Sequence, residues 1–309
     1  MNKSNFKLAF TDNTTFYGKD LEGFYANALL TGNSKSEFKL IPNVKSKVKI
    51  GQLNIGNILA DADCSFSGQG EGTLSQKTLE VCPVKINLEY CQRTFETDYL
   101  SQLLRPGSNN GEVMPASVES FLLEQVALKV SADTEKMVWA GDSATASYPL
   151  SICDGLYKQF KADAAVIDVL GTASITTSNV IAELTKVYNA IPQALILEDD
   201  MRIFISPTVH RAYRQALAAA SSEAYYMQNY GELHFLDVKL SVAPGATANY
   251  MVAARKSNLL LLTDLVSDFE DVQILPQKSV TGVPVVRMTG EFKFGVNYIY
   301  GSEVVFYWS

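Results

Sequence analysis

The chain has 309 residues, 47% of them apolar, which is enough for one large domain or two around a packed core. Its formal net charge of −7 and pI near 5.0 argue against a protein that grips nucleic acid through its phosphates, since that mode needs clustered lysine and arginine. No apolar run approaches the roughly 18 residues of a membrane span, and MNKSNFKLAF lacks the apolar core and cleavage site of a secretory signal, so the cytosol is the default compartment.

Residues 1 to about 44 set short apolar groups (Leu21, Phe24, Tyr25, Leu29, Leu30) between Gly18, Gly23, Gly32 and Pro42, which reads as an arm with one short helix. From Gly51 the chain turns polar and glycine-rich through SFSGQGEGTLSQ, and alternation resumes over Thr78 to Tyr90 with Leu79, Val81, Val84, Ile86 and Leu88. The pattern predicts two long strands joined by an extended loop, a protruding hairpin that needs something outside itself to lie against. RPGSNNG, residues 105 to 111, is a loop. In PASVESFLLEQVALKVSADTEKMVWAGD, Val118, Leu122, Val126, Val130 and Met137 recur at multiples of four or near it. Pro115 suits a first turn, Ser117 a cap and Gly141 a left-handed C′ position, so one helix of roughly 25 residues, about 37 Å long, is expected over 115–141. Val126→Asp is expected to stop folding by placing a charge under the sheet that covers the stripe.

After a turn-rich link, Val180, Ile181, Leu184, Val187, Tyr188 and Ile191 show helical spacing up to Pro192. Strands are expected at Ala194 to Leu197 and Arg202 to Ile205, separated by an acidic turn at Glu198, Asp199 and Asp200. Ser206 and Pro207 open a third helix reaching about Ala220, with Val209, Tyr213 and Leu217 inward. Short strands follow at Leu233 to Leu236, Lys239 to Val242 and Tyr250 to Ala254, with a turn at Pro244-Gly245. Phe292, Phe294, Val296, Tyr298 and Tyr300, then Val304, Phe306 and Trp308, alternate as closing strands with one apolar face.

Groups that carry catalysis are few. His210 and His234 have no companion at metal-ligand spacing, and no GxSxG, GxxxxGK[ST] or HExxH motif is present. Gly68, Gly70 and Gly72 lack the following lysine and strand-to-helix context of a phosphate cradle and read as a loop tip. Glu198 to Asp200, Asp61 with Asp63, and Asp154-Gly155 read as solvated turns. Cys64, Cys82, Cys91 and Cys153 form no CxxC pair and read as free thiols; because three cluster over residues 64 to 91, a disulfide formed after release into an oxidising medium is the lesser reading. No catalytic, cofactor or metal residue is assigned.

The order of elements resembles the major capsid proteins of tailed bacteriophages, the Hong Kong ninety-seven type fold shared with encapsulins. MVWAGDSATASYPLSICDGLYK is similar to the end of that family's spine helix with its Gly-Asp turn. TTSNVIAELTKVYNAIP and RIFISPTVHRAYRQAL resemble its axial-domain helix, strand, Ser-Pro turn and helix. LHFLDVKLSVAPGATANYMVAARKSNLLLLTDL resembles the strand, Pro-Gly turn and strand that follow, and VVRMTGEFKFGVNYIYGSEVVFYWS the strand returning along the spine and the closing strand. The glycine-rich segment 51–90 falls where the family has its extended loop.

The resemblance implies an α+β fold divided into an N-terminal arm (1–44), an extended loop and peripheral domain with the spine helix (45–160), an axial domain (161–264), and return strands of the peripheral domain with a closing axial strand (265–309). It implies a homo-oligomer of pentamers and hexamers in an icosahedral shell around double-stranded DNA, located in the virion and assembled in the host bacterial cytoplasm. The DNA would be touched weakly, a portal would be a partner, and there would be no membrane. Because Met1 almost directly precedes the arm, a scaffold would be separate or lacking; decoration proteins are further possible partners. Some members crosslink a loop lysine to a neighbour's asparagine; Lys77 and Asn297 lie in the matching regions, and an exposed lysine is the simpler reading. The rival readings are an encapsulin-type compartment, a tail-tube or head-completion protein, and an enzyme with an unrecognised site.

Overall fold

A computed structural model describes residues 34–56, 59, 72–91, 116–171, 174–220, 233–264, 273–277, 282–283 and 285–308, without the side chains of 54, 116–124, 273–274 and 276. The arm helix, Asp61, Asp63, Cys64, Gly68, Gly70 and the loop at 105–111 lie outside the described residues.

Helix α1 spans Ala116–Ala140, within a residue of the expected ends. Its alanines, leucines, glutamates and lysines favour the helix, and no glycine or proline interrupts it. Coverage is uneven: Met137, Val138 and Trp139 are buried, Val126 and Val130 are half-buried, and Leu128 is exposed. Gly141 does not take the left-handed conformation expected of it; among the described glycines only Gly282 has a positive φ. What Gly141 supplies is room. It bonds to Met137 O at 3.1 Å and accepts from the Gly155 amide at 2.9 Å, and a Cβ would run into the Cys153 and Met137 carbonyls. The return over 141–155 folds back through that contact into helix α2 (Leu156–Ala162), whose Leu156, Tyr157 and Phe160 are buried with α1.

Strands β1 (Lys39–Ile41), β2 (Val48–Ile55), β3 (Gly72–Leu79) and β4 (Cys82–Cys91) come first in the chain. The hairpin is real, but its return strand is not the one expected. β2 pairs antiparallel with β3, from Val48 opposite Leu79 to Ile55 opposite Gly72. β4, which carries the Thr78 to Tyr90 alternation, leaves the hairpin and pairs with the long strand β12 (Val285–Tyr298), Cys82 opposite Phe294 and Cys91 opposite Val285. Alternation marks a strand with one covered face; β3 stands largely in solvent, so GTLSQKTL alternates only weakly.

Chain order continues with β5 (Ile167–Leu170), α3 (Val180–Ala190), β6 (Met201–Ile205), α4 (Pro207–Ala220), β7 (His234–Phe235), β8 (Val238–Val242), β9 (Met251–Arg255), β10 (Leu259–Thr263), β11 (Gln273–Pro276), β12 and β13 (Val305–Trp308). One sheet has the order β1-β10-β12-β11 with β4 also on β12; a second has the order β5-β13-β9-β6-β8-β7. Ser206 caps α4, its Oγ accepting from the Val209 amide at 3.3 Å. The strand expected at Ala194 to Leu197 is instead a run of turns, with Leu195 N bonded to Pro192 O and Glu198 N to Leu195 O. Its apolar residues have no neighbouring strand to join, and Leu197 is exposed.

The closing strand also departs from expectation, because both of its faces are buried. Val304 and Phe306 join a core with Trp139, Phe160, Phe292, Phe294 and Tyr298, while Val305 and Tyr307 join a second core with Val180, Leu184, Ile203 and Val209. The second sheet is thus a wall between two cores: α3 and α4 cover one face, and α1, α2 and the first sheet cover the other.

Candidate subunit interface

Among the described residues, the β2–β3 hairpin meets its own body toward its base. Leu79 packs with Val44, Leu260 and Leu262. The Gln52 amide donates to the Ile299 carbonyl. Lys77 Nζ lies 3.1 Å from the centre of the Tyr298 ring and 3.8 Å from Asp163 Oδ2, to which the Tyr298 hydroxyl donates at 2.6 Å. Desolvation pulls the Lys77 ammonium down to about 8 against the attraction of Asp163. Burial, with the Asp163 hydrogen bond second, pushes the Tyr298 hydroxyl up. Burial also opposes charge on Asp163, yet Tyr298, the Ala165 amide and Lys77 together hold its carboxyl below the ordinary range.

These groups line an open cleft of about 630 Å³, together with Asn297 and the bonded pair Cys82 and Cys153. That pair corrects the expectation of free thiols. Cys82 and Cys153 stand 71 positions apart, but β4 and the 141–155 return bring their Cα atoms within 5.9 Å. Cys91 is free and exposed.

The antiparallel register sorts the hairpin into two faces. Val48, Ile50 and Gln52 share one face with Leu79, Lys77 and Ser75, and this face turns to the body. The opposite face carries Leu53 directly across from Leu74, with Ile55 beyond; these three are 54%, 71% and 57% exposed. On the same face Gly51 flanks Leu53 and Gly72 flanks Leu74 on one side each, with Ile55 and Gln76 on the other. An apolar cross-strand pair facing away from its own core is a surface without a partner in its own chain.

A second tie joins residues 34–38, near the end of the arm segment, to the body. Ser34 donates to Glu135 and accepts from Trp139 Nε1 at 3.0 Å. The Lys35 ammonium is buried against Thr134 Oγ1 at 2.8 Å and Ser131 O at 3.1 Å; burial pulls it down to about 8, countered by Glu135. Glu37 accepts from Ser241 at 2.7 Å and faces Lys256 and Arg202 at 3.5 and 3.7 Å. Phe38 packs edge-on against both Trp139 and Phe204. No local pattern signals this tie, because KSEF reads as surface until its partners are known.

The remaining candidates are scattered. His210 is half-buried on α4, where burial and then Arg214 lower its pKa. His234 belongs to β7. Asp200 accepts from Ser257 at 2.5 Å, and the Asp199 carbonyl accepts from Arg202 at 2.8 Å. Asp154 is more than a turn, since with Asp142 it clamps Lys158 at 2.8 and 2.7 Å. Asn297 accepts from the Tyr298 amide, and Lys77 is engaged within its own chain. Among the described residues no three acidic, histidine or cysteine groups gather as metal ligands, and no helix is long and apolar enough to cross a membrane.

A long helix beside a sheet, a six-stranded domain sharing one core with it, and a hairpin projecting from the base define the α+β fold of shell-forming capsid subunits. No protein-family model matches the chain, and no curated protein matches it significantly in sequence. Solved structures do match. The capsid of the native GTA particle superposes with a TM-score of 0.60 over 98% of this chain and 95% of that chain, at 11% identity. The satellite phage P4 procapsid that includes the size determination (Sid) protein gives 0.57 over 93% and 98%, at 11% identity. The virus-like particle from Pyrococcus furiosus gives 0.55 over 93% and 98%, at 9% identity. The fold is therefore the Hong Kong ninety-seven type that the order of elements resembles.

Proposed function

We propose that this chain is a major capsid protein, whose copies assemble through pentamers and hexamers into an icosahedral head around a double-stranded DNA genome. The observation that carries the reading is the outer face of the hairpin: Leu53, Leu74 and Ile55 are largely exposed and join none of the cores formed by the described residues. Burying that face on an adjacent copy gives each subunit a distributed contact, which suits a closed assembly held by many modest interfaces. Segment 1–44 acts as an arm, 45–160 as the extended loop and peripheral domain, 161–264 as the axial domain, and 265–309 returns to both. The net charge of −7 fits a container that touches packed DNA weakly. The role is structural, not enzymatic; a portal is its expected companion, and the virion its location, reached after assembly in the bacterial cytoplasm.

The likeness to the Pyrococcus furiosus particle favours a second reading, a protein compartment without a genome. Electron microscopy of the purified chain tests the shared core of both, since closed particles or ring-shaped capsomers are expected and a monomer stable at high concentration refutes both. Nuclease-protected DNA inside particles recovered from cells separates the head from the compartment.

A further inference from the structure

The Cys82–Cys153 bond sits where the hairpin meets the body. Cys82 opens β4 three positions after Leu79 ends β3, so it occupies the corner between a strand standing in solvent and a strand of the large sheet. Cys153 is buried in the 141–155 return, which is fixed independently of it by the Gly155–Gly141 backbone bond and by Lys158 between Asp142 and Asp154. The bond therefore joins a firmly held element to the corner of a projecting one. The other polar ties of the hairpin, Gln52 to Ile299 and Lys77 to Asp163 and Tyr298, are noncovalent. Both cysteines line the open cleft; Cys153 is buried and Cys82 half-buried, so Cys82 is the side from which a small thiolate would approach the bond. Cys91, nine positions along β4 from Cys82, is about 30 Å away at 3.3 Å per residue and cannot act as a resolving thiol within the chain.

We propose that Cys82 and Cys153 form a thiol–disulfide exchange site that sets whether the hairpin is locked to the body, with a low-molecular-weight thiol or disulfide of the glutathione class as its reaction partner. Opening begins when a thiolate RS⁻ attacks one of the two sulfurs: an RS–S bond forms, the Cys–Cys bond breaks, and the other cysteine leaves as thiolate. A second RS⁻ attacks the mixed disulfide, releasing RSSR and the second cysteine thiolate, and both thiolates take protons from water. The protein gains two electrons and two protons while two small thiols are oxidised to one disulfide; closing is the reverse. In the open state the polar ties, the packing of Ile50 and Leu79 and the β4–β12 ladder that begins at Cys82 still hold the hairpin base, while its distal part can adjust to an adjacent copy, and closing then fixes the adjusted position. That last step alone rests on the shell reading.

The test equilibrates the full chain in glutathione buffers of graded ratio, maps the Cys82–Cys153 link by peptide mass spectrometry, and reads hydrogen exchange over residues 48–55 and 72–79. The link is expected to titrate reversibly, and hairpin amides to exchange about tenfold faster in the reduced chain while those of β6, β8 and β9 keep their rates. Cys153→Ser in oxidising buffer should behave as the reduced wild type, which makes the same measurement without a substitution, and Cys91→Ser as the oxidised one. Three outcomes overturn the proposal: a pair that stays in one redox state at every ratio, hairpin exchange equal in both states, or reduction that speeds exchange across the second sheet as well, which would make the bond a general fold staple. Particle formation is scored separately, so failure of the shell reading leaves these outcomes interpretable.

Discussion

Replacing both outward leucines of the hairpin, Leu53→Ser with Leu74→Ser, separates assembly from folding. Full burial of a leucine is worth roughly 1.5–3 kcal/mol. With 54% and 71% of the two residues exposed in the single chain, covering what remains contributes roughly 2–4 kcal/mol for each hairpin that docks. Its loss weakens the contact about 30- to 700-fold, and the contact recurs around a shell, so the concentration at which particles appear should rise by at least the lower factor. Stability of the unassembled chain is a different matter. Neither side chain reaches its own core, and the lost cross-strand pair costs about 1 kcal/mol or less. Light scattering against concentration, with negative-stain microscopy of the plateau, gives the first quantity; urea unfolding of the dissociated chain gives the second. Particles forming at the wild-type threshold would refute the docking face, and a several-kcal/mol loss in unfolding would mean that the face packs on its own chain.

Four further substitutions probe the body of the chain. Lys35 loses its proton near pH 8 in the folded chain but near 10.5 when unfolded, so between those values the unfolded state holds more protons and stability rises with pH. A shift of that size amounts to about 3 kcal/mol, and Lys35→Met should lack the rise when unfolding curves of the two proteins are compared from pH 7.5 to 10.5. Gly245→Ala should lower stability by about 2–3 kcal/mol, because its Cβ would meet the Glu135 carbonyl and the Lys136 amide in the backbone of α1, neither of which can yield; a thermal midpoint equal to wild type would show that the turn moves freely. Half-buried Val126 revises the expectation that Val126→Asp stops folding. That carboxylate can reach water, so a loss of about 1–2 kcal/mol is expected, whereas Val138→Asp at a fully buried position should yield no soluble folded chain; circular dichroism and solubility of the pair distinguish the two.

Much of the architecture was legible wherever one face of an element meets a core of its own chain. Helix α3 shows it: Val180, Leu184 and Val187 are fully buried, and their spacing placed the helix within a few residues. Helix α4 shows it too, with Ser206 as cap and Val209 and Tyr213 inside. Reading failed where partners are distant or numerous. Ser34, Lys35 and Glu37 look like surface residues until Glu135, Trp139, Thr134 and Ser241 are brought to them from 99 or more positions away. Cys82 and Cys153 carry no spacing signal, because the path between them passes through the whole of α1. Strand β13 was read as one-sided because Val305 and Tyr307 find a second core behind the first.

The misread return strand of the hairpin has a different cause, and that cause bears on function. Alternation arises from selection for one buried face, and GTLSQKTL lacks it because neither face of the distal β2–β3 ladder is buried within a single chain. A two-stranded ladder in water is marginal on its own. This one keeps eight paired positions and an exposed apolar pair at Leu53 and Leu74, so the uncovered face is better explained by cover from an adjacent copy than by tolerance of exposure. The feature that hid the strand from its sequence is therefore the same one on which the proposed interface rests, and the double serine variant tests that interface.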